Sequence, residues 1–186
     1  MKTFQKLVVR NDRINADFCI ELSSHPPVFM RVIEKNYLNS ERAVIEVDAS
    51  RFLDFWRLNA TSGQKQFANC GIAAWKQDRK FQDAEDGFAR GEDDPVPTAN
   101  IEYCETIREI AVKKKTFLFG SKIDQVEKIT NCSLEITNGI TRIMWLLVHG
   151  ATAFPVECNI NNAEELCKHI GSSNVSVTTV QKLLKL

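Results

Sequence analysis

Residues 136–158, ITNGITRIMWLLVHGATAFPVEC, admit few backbones. The preceding SLEIT alternates and is β-prone. Asn138–Gly139 are residue types that readily adopt positive φ, and IMWLLV is apolar nearly all round. The order predicts a strand, a sharp reversal, and a short buried helix with Thr141 as its cap and Arg142 in its first turn. Gly150 ends that helix, and AFPVEC returns as a strand in which Pro155 favours an edge or an early position. A helix that starts from such a turn leaves backbone N–H groups pointing one way, a geometry that receives anions. Asn138, Gly139, Thr141 and Arg142 are therefore candidate phosphate- or anion-binding residues, the guanidinium fork of Arg142 matching phosphate or carboxylate. The alternative is that Arg142 locks the turn by pairing with an acid such as Glu135 or Glu157.

Upstream, FQKLVVRN, DFCIEL, VFMRVI and RAVIEVD read as strands, with Pro26–Pro27 forcing an extended or turning backbone between the second and third. In the fourth, Val44, Glu46 and Asp48 alternate with Ile45 and Val47. DASRFLDFWRLN switches to helical spacing, capped by Asp48 or Ser50, with Phe52, Phe55, Trp56 and Leu58 along one core-facing stripe. A short helix is expected over Ala73–Asp83, followed by an exposed acidic loop in which Glu92, Asp93 and Asp94 form a rigid corner, GEDDPVP. That corner is a candidate partner-binding surface; its plainer reading is a solvated face. TFLFG reads as a strand, whereas SKIDQVEKIT carries Ile123, Val126 and Ile129 at helical spacing with Ser121 as a possible cap. INNAEELCKHIG is a helix capped by Asn161 or Asn162, and SVTTVQKLLKL is a terminal helix that docks through Val180, Leu183 and Leu184.

The 24 basic residues balance the 24 acidic ones. That argues against a protein living on nucleic acid, where a basic surplus supplies much of the affinity. The six cysteines form no C-x-x-C pair, so reduced, mostly buried thiols are expected rather than a disulfide framework. The three histidines share no metal-ligand spacing, and no nucleophile elbow, Walker loop or H-E-x-x-H is present. No metal and no cofactor are expected. The N-terminal MKTFQKLVVRNDR is too charged for a signal peptide or a membrane span.

The pattern strand, NG-x-x-R, apolar helix, Gly, then PV resembles the signature of the ParB/sulfiredoxin fold, with Asn138, Gly139, Arg142, Gly150, Pro155 and Val156 in the matching places. Ile140 stands where sulfiredoxins carry their catalytic Cys, and an alkyl side chain cannot attack a phosphoryl group, so sulfiredoxin chemistry is excluded. Thr141 stands where the family places a His or Arg. The longer stretch AWKQDRKFQDAEDGFARGEDDPVPTANI, followed later by HGATAFPVEC, resembles the plasmid fertility-inhibition factors, the FipA/Osa group of small plasmid-encoded proteins. This resemblance implies an α+β, ParB/sulfiredoxin-like mixed sheet with packed helices. It implies a single domain over 1–186 whose first strands are an elaboration. It further implies a cytoplasmic bacterial protein, free of membrane insertion and able to form a homo-oligomer. Such a protein blocks conjugative export of a co-resident plasmid by binding the type IV secretion coupling protein, an ATPase of the VirD4/TraG type. The competing expectation is a nucleotidase or nuclease of the same fold, holding phosphate with Gly139 and Arg142 and recruiting a metal through Glu135 or Glu157.

Overall fold

The computed structural model describes residues 1–35, 39–115, 121–173 and 176–186, and over 109–127 the backbone only. It is an α+β structure built on two mixed sheets and seven helices among the described residues. The first sheet contains β1 (Phe4–Arg10), β2 (Arg13–Ile20), β3 (Val28–Ile33) and the two-residue β5 (Val96–Pro97), in that order. Its first three strands are antiparallel, and β5 joins β3 in parallel through Met30–Val96 and Arg31–Pro97. The β1–β2 reversal is a tight one, with Asn11 and Asp12 both at positive φ, the residue types that tolerate it best.

The second sheet has the order β7 (Ser121–Asn138), β6 (Ala99–Lys115), β8 (Ala153–Asn159), β4 (Arg42–Asp48), β9 (Thr178–Thr179). Within it β6 and β8 are the parallel pair, joined only at Ala99–Val156 and Asn100–Glu157, and the other neighbours are antiparallel. Strand β4 is buried from Ala43 to Val47. The expected one-face alternation is thus replaced by a central strand covered on both sides. Pro155 likewise lies in an interior strand, opposite Glu46, immediately before the residue at which β6 joins.

Helix α1 (Ala49–Asn59) starts where Asp48 Oδ1 accepts the N–H groups of Ser50 and Arg51, so Asp48 is the cap. Phe52 and Trp56 are fully buried, Phe55 half-buried, and Leu58 is 80% exposed, off the stripe. Two short helices follow, α2 (Lys65–Asn69) and α3 (Ile72–Lys76), then α4 (Phe81–Phe88). The expected Ala73–Asp83 helix is therefore broken at residues 77–80, and half of the acidic run is helical. The reason is the stripe Phe81, Ala84 and Phe88, which buries one face of α4 and turns Asp83 and Asp86 outward.

Helix α5 (Ile140–Val148) buries Ile143 to Leu146, and Trp145 stacks on Phe88 of α4 at 4.5 Å between centroids. Gly150 follows at φ 77. Helix α6 (Ile160–Ile170) is capped by Asn159, whose side chain accepts the Asn161 N–H, rather than by Asn161 or Asn162. The terminal α7 (Val180–Leu184) is capped by Thr179 and buries Val180 and Leu184. No disulfide joins the six cysteines.

One element reverses its sequence reading. SKIDQVEKIT is the first half of β7, not a helix, and pairs with β6 along a long hairpin that continues to Asn138. Its β-branched residues suit a strand, and pairing across the hairpin overrides a three-residue spacing that fits a helix equally well. The expected strand TFLFG, 116–120, lies outside the described residues.

Candidate functional site

The reversal between β7 and α5 is built as its residues require. Gly139 sits at φ 88 and is itself the N-cap, with no side chain capping the helix, so Thr141 lies inside the first turn rather than at the cap. Arg142 folds back over the turn. Its Nη1 donates to the carbonyl of Pro97 and its Nη2 to Asn138 Oδ1 at 3.0 Å. A Cβ on Gly139 would lie 2.6 Å from Nη2 and 2.9 Å from Nε of Arg142, so only glycine lets the guanidinium approach. Burial lowers the Arg142 pKa from its ordinary value. The structure therefore brings Asn138, Gly139, Thr141 and Arg142 together, and turns the guanidinium onto a backbone carbonyl and an amide rather than onto a carboxylate.

Neither proposed acid pairs with Arg142. Glu135 is exposed and lines a 380 Å³ cavity with Thr61, Glu102 and Asn162. Glu157 is 5% exposed; it accepts the Thr98 hydroxyl and is ion-paired with Arg42. With its guanidinium mostly covered, Arg42 has its pKa lowered by burial. No group of three or more His, Cys, Asp or Glu side chains able to hold a metal occurs among the described residues.

The acidic corner is bound to its own protein. Glu92 pairs with Lys6, and its carbonyl accepts Arg10 Nη2 at 3.2 Å. Asp94 bridges Arg31 at 2.6 Å and Arg90 at 3.0 Å, and the hydrogen bond from Arg31, followed by that from Arg90, holds its carboxyl below the ordinary pKa. Asp93 is exposed. The corner turns at Gly91, φ 65.

Three carboxylates are buried among the described residues, and two of them, Asp17 and Glu46, are not singled out as site residues from the sequence. Asp17, fully buried, takes a bidentate bond from Arg10, both contacts 2.7 Å. Glu46, also fully buried, accepts the Thr3 N–H at 2.7 Å, the Thr3 hydroxyl at 2.6 Å and the Ser172 hydroxyl at 3.1 Å. Glu157 is the third. Each is a single acid inside an otherwise apolar run (ADFCI, AVIEV, FPVEC), and that isolation is the signal by which they are found. No helix among the described residues is long and apolar enough to cross a membrane.

Comparison with known proteins follows the same stretch of chain. A family model described as plasmid fertility inhibition factor matches residues 44–171, more than half of the chain. Comparison with curated proteins returns no match. Among solved structures, the crystal structure of Oncogenic Suppression Activity Protein, a plasmid fertility inhibition factor, as its gold(I) cyanide derivative, superposes with a TM-score of 0.65. The alignment covers 97% of this chain and 80% of that one at 23% identity, so this likeness is one of fold.

Proposed function

The chain belongs to the plasmid fertility inhibition factor family, and from that premise we propose that it acts by binding, not turnover. In this reading it blocks conjugative transfer of a co-resident plasmid, from the donor cytoplasm, at the coupling-protein ATPase of the type IV secretion channel. The observation that carries the binding reading is the state of Arg142. Its guanidinium is satisfied by Pro97 and Asn138, so the turn serves as a rigid corner of the scaffold. An enzyme of this fold would need that group aimed at a phosphate. Glu157, the buried acid that a metal-recruiting enzyme of this fold would enlist, is likewise held by Arg42 and Thr98.

The test is a mating assay run beside co-purification from donor cells. Tagged protein is expected to bring down the coupling protein, and to lower transfer frequency in the same strain. Failure to recover the coupling protein while inhibition persists removes the proposed target. Nucleotide hydrolysis or DNA nicking by purified protein with Mg²⁺ or Mn²⁺, abolished in Arg142→Ala, overturns the binding reading itself.

A further inference from the structure

The first sheet carries a cavity of 650 Å³ lined by Arg10, Arg13, Arg31, Asn15, Asp93 and Asp94, among others. Three guanidinium groups converge there from β1, β2 and β3. Asp17, buried beneath, neutralises Arg10. The counter-charge for Arg31 comes from the corner, through Asp94. Arg31 Nε is buried and has no hydrogen-bond acceptor, so even with the corner in place part of this fork is unsatisfied. Arg10 also feels Asp94 and Glu92, after the larger effects of its Asp17 bond and of burial.

The corner that supplies Asp94 is not a deep fixture. Glu92 and Lys6 are nearly half exposed at 44% and 45%, Asp94 is 47% exposed, and Arg90 63%. Exposed pairs of this kind contribute little each and are screened by salt. Withdrawing residues 92–94 would leave Arg31 and Lys6 without their carboxylates, beside a cavity that Asp93 and Asp94 already line.

We propose that this arginine-lined cleft on the β1–β3 sheet is a docking site for an acidic segment of a partner protein, and that the Glu92–Asp94 corner occupies it in competition with that segment. The corner is thus a built-in stand-in for the ligand: it shows what the cleft recognises and holds the cleft shut. A carboxylate run is favoured over a nucleic-acid backbone because the group seated against Arg31 is the Asp94 carboxylate, with Asp93 next to it on the cavity wall. Closure reduces the apparent affinity of any competing segment by the fraction of molecules that are open. The inference rests on the inhibitory binding proposed above only for who carries the segment.

The test uses the whole purified chain and a labelled peptide containing a Glu-Asp-Asp run. Neutralising the corner, Glu92→Gln with Asp93→Asn and Asp94→Asn, is expected to tighten peptide binding by about tenfold or more over the native chain. Arg31→Gln in that background is expected to reverse the gain. Asp94→Asn alone, a single exposed substitution, is the second variant should the triple one fold poorly, and is expected to tighten binding by a smaller factor. Equal affinity of the native and Asp94→Asn chains overturns the competition. Retention of full binding in the Arg31→Gln chain overturns the site. A single-stranded oligonucleotide binding the opened cleft more tightly than the peptide at equal ionic strength overturns the choice of partner. If the peptide result fails while the coupling protein still co-purifies, this inference falls and the proposed function stands; the opposite pattern removes the proposed function alone.

Discussion

Gly139→Ala tests whether the turn is held by the close approach of Arg142 or merely tolerates it. An alanine at φ 88 pays the left-handed penalty of about 1–2 kcal/mol. Its Cβ would also meet Arg142 Nη2 at 2.6 Å and Ala99 Cβ at 3.0 Å, so the guanidinium must leave Pro97 and Asn138. Those bonds are charge-assisted but exposed, and discounted for solvent screening their loss is worth about 1 kcal/mol. The sum, about 2–3 kcal/mol, corresponds to a drop in Tm of roughly 4–12 °C for a chain of this size. Arg142→Ala alone is expected to cost about 1 kcal/mol. The diagnostic variant is the double one. Once Arg142 is truncated, the alanine at 139 no longer displaces it, so Gly139→Ala/Arg142→Ala should be about as stable as Gly139→Ala alone, a coupling of about 1 kcal/mol. Thermal and urea unfolding followed by circular dichroism measure all four chains. Strict additivity would refute the steric coupling, and an unchanged Tm for Gly139→Ala would refute the geometry of the turn.

Two further perturbations address the buried acids. Burial pushes Glu46 up, but bonds from the Thr3 hydroxyl and N–H, the Lys2 N–H and the Ser172 hydroxyl outweigh it and leave the pKa below the ordinary 4.5. A folded-state value depressed in this way adds stability above the ordinary carboxylate range, lost as pH falls through the folded value. Glu46→Gln is therefore expected to cost about 1–3 kcal/mol at pH 7 and less as the pH drops, flattening the acid limb of the stability curve. Urea unfolding across pH 3–7 checks it, and an acid limb as steep as the native one would count against it. Arg42→Met strands Glu157 with only the Thr98 hydroxyl, and removing one partner of a buried pair costs about 3–5 kcal/mol. Pairing it with Glu157→Leu should recover much of that loss in the same unfolding assay, and no recovery would show that the ion pair is not the source.

The local features of the fold were legible where one short stretch carries its own instructions. Gly139 adopts the positive φ expected of it, Gly150 follows the end of α5 as expected, Asp48 caps α1, and α5 is buried as an all-round apolar helix must be. What escaped was non-local. The spacing of Ile123, Val126 and Ile129 serves a helix or a strand, and the choice is made by β6 across the hairpin. The partner of Arg142 is a backbone carbonyl 45 residues away, which no residue-type pattern reveals. Glu92 and Asp94 were identifiable as a rigid acidic corner, but the basic residues that receive it lie on β1 and β3, far earlier in the chain. A charge run looks solvated until the fold supplies its counter-ions.

Those distant partners converge on one seven-residue segment, Asp94 to Asn100, which ties the candidate sites together. Asp94 holds Arg31, and the next residues lie parallel to β3 as β5, with Thr98 N–H donating to the Arg31 carbonyl at 2.9 Å. The Pro97 carbonyl takes Arg142, the Thr98 hydroxyl takes Glu157, and Ala99 packs against Gly139 before β6 begins its pairing with β8. The segment thus passes from the first sheet to the second while touching the arginine cleft, the buried ion pair and the glycine turn within about 25 Å of extended chain. Its backbone groups are shared between the sheets, so a shift that frees Asp94 acts on the same strand that seats Arg142. Coupling of this kind needs only contiguous packed contacts, and under the binding proposal it gives the rigid turn a role: it anchors the far end of the segment whose near end carries Asp94 to Arg31.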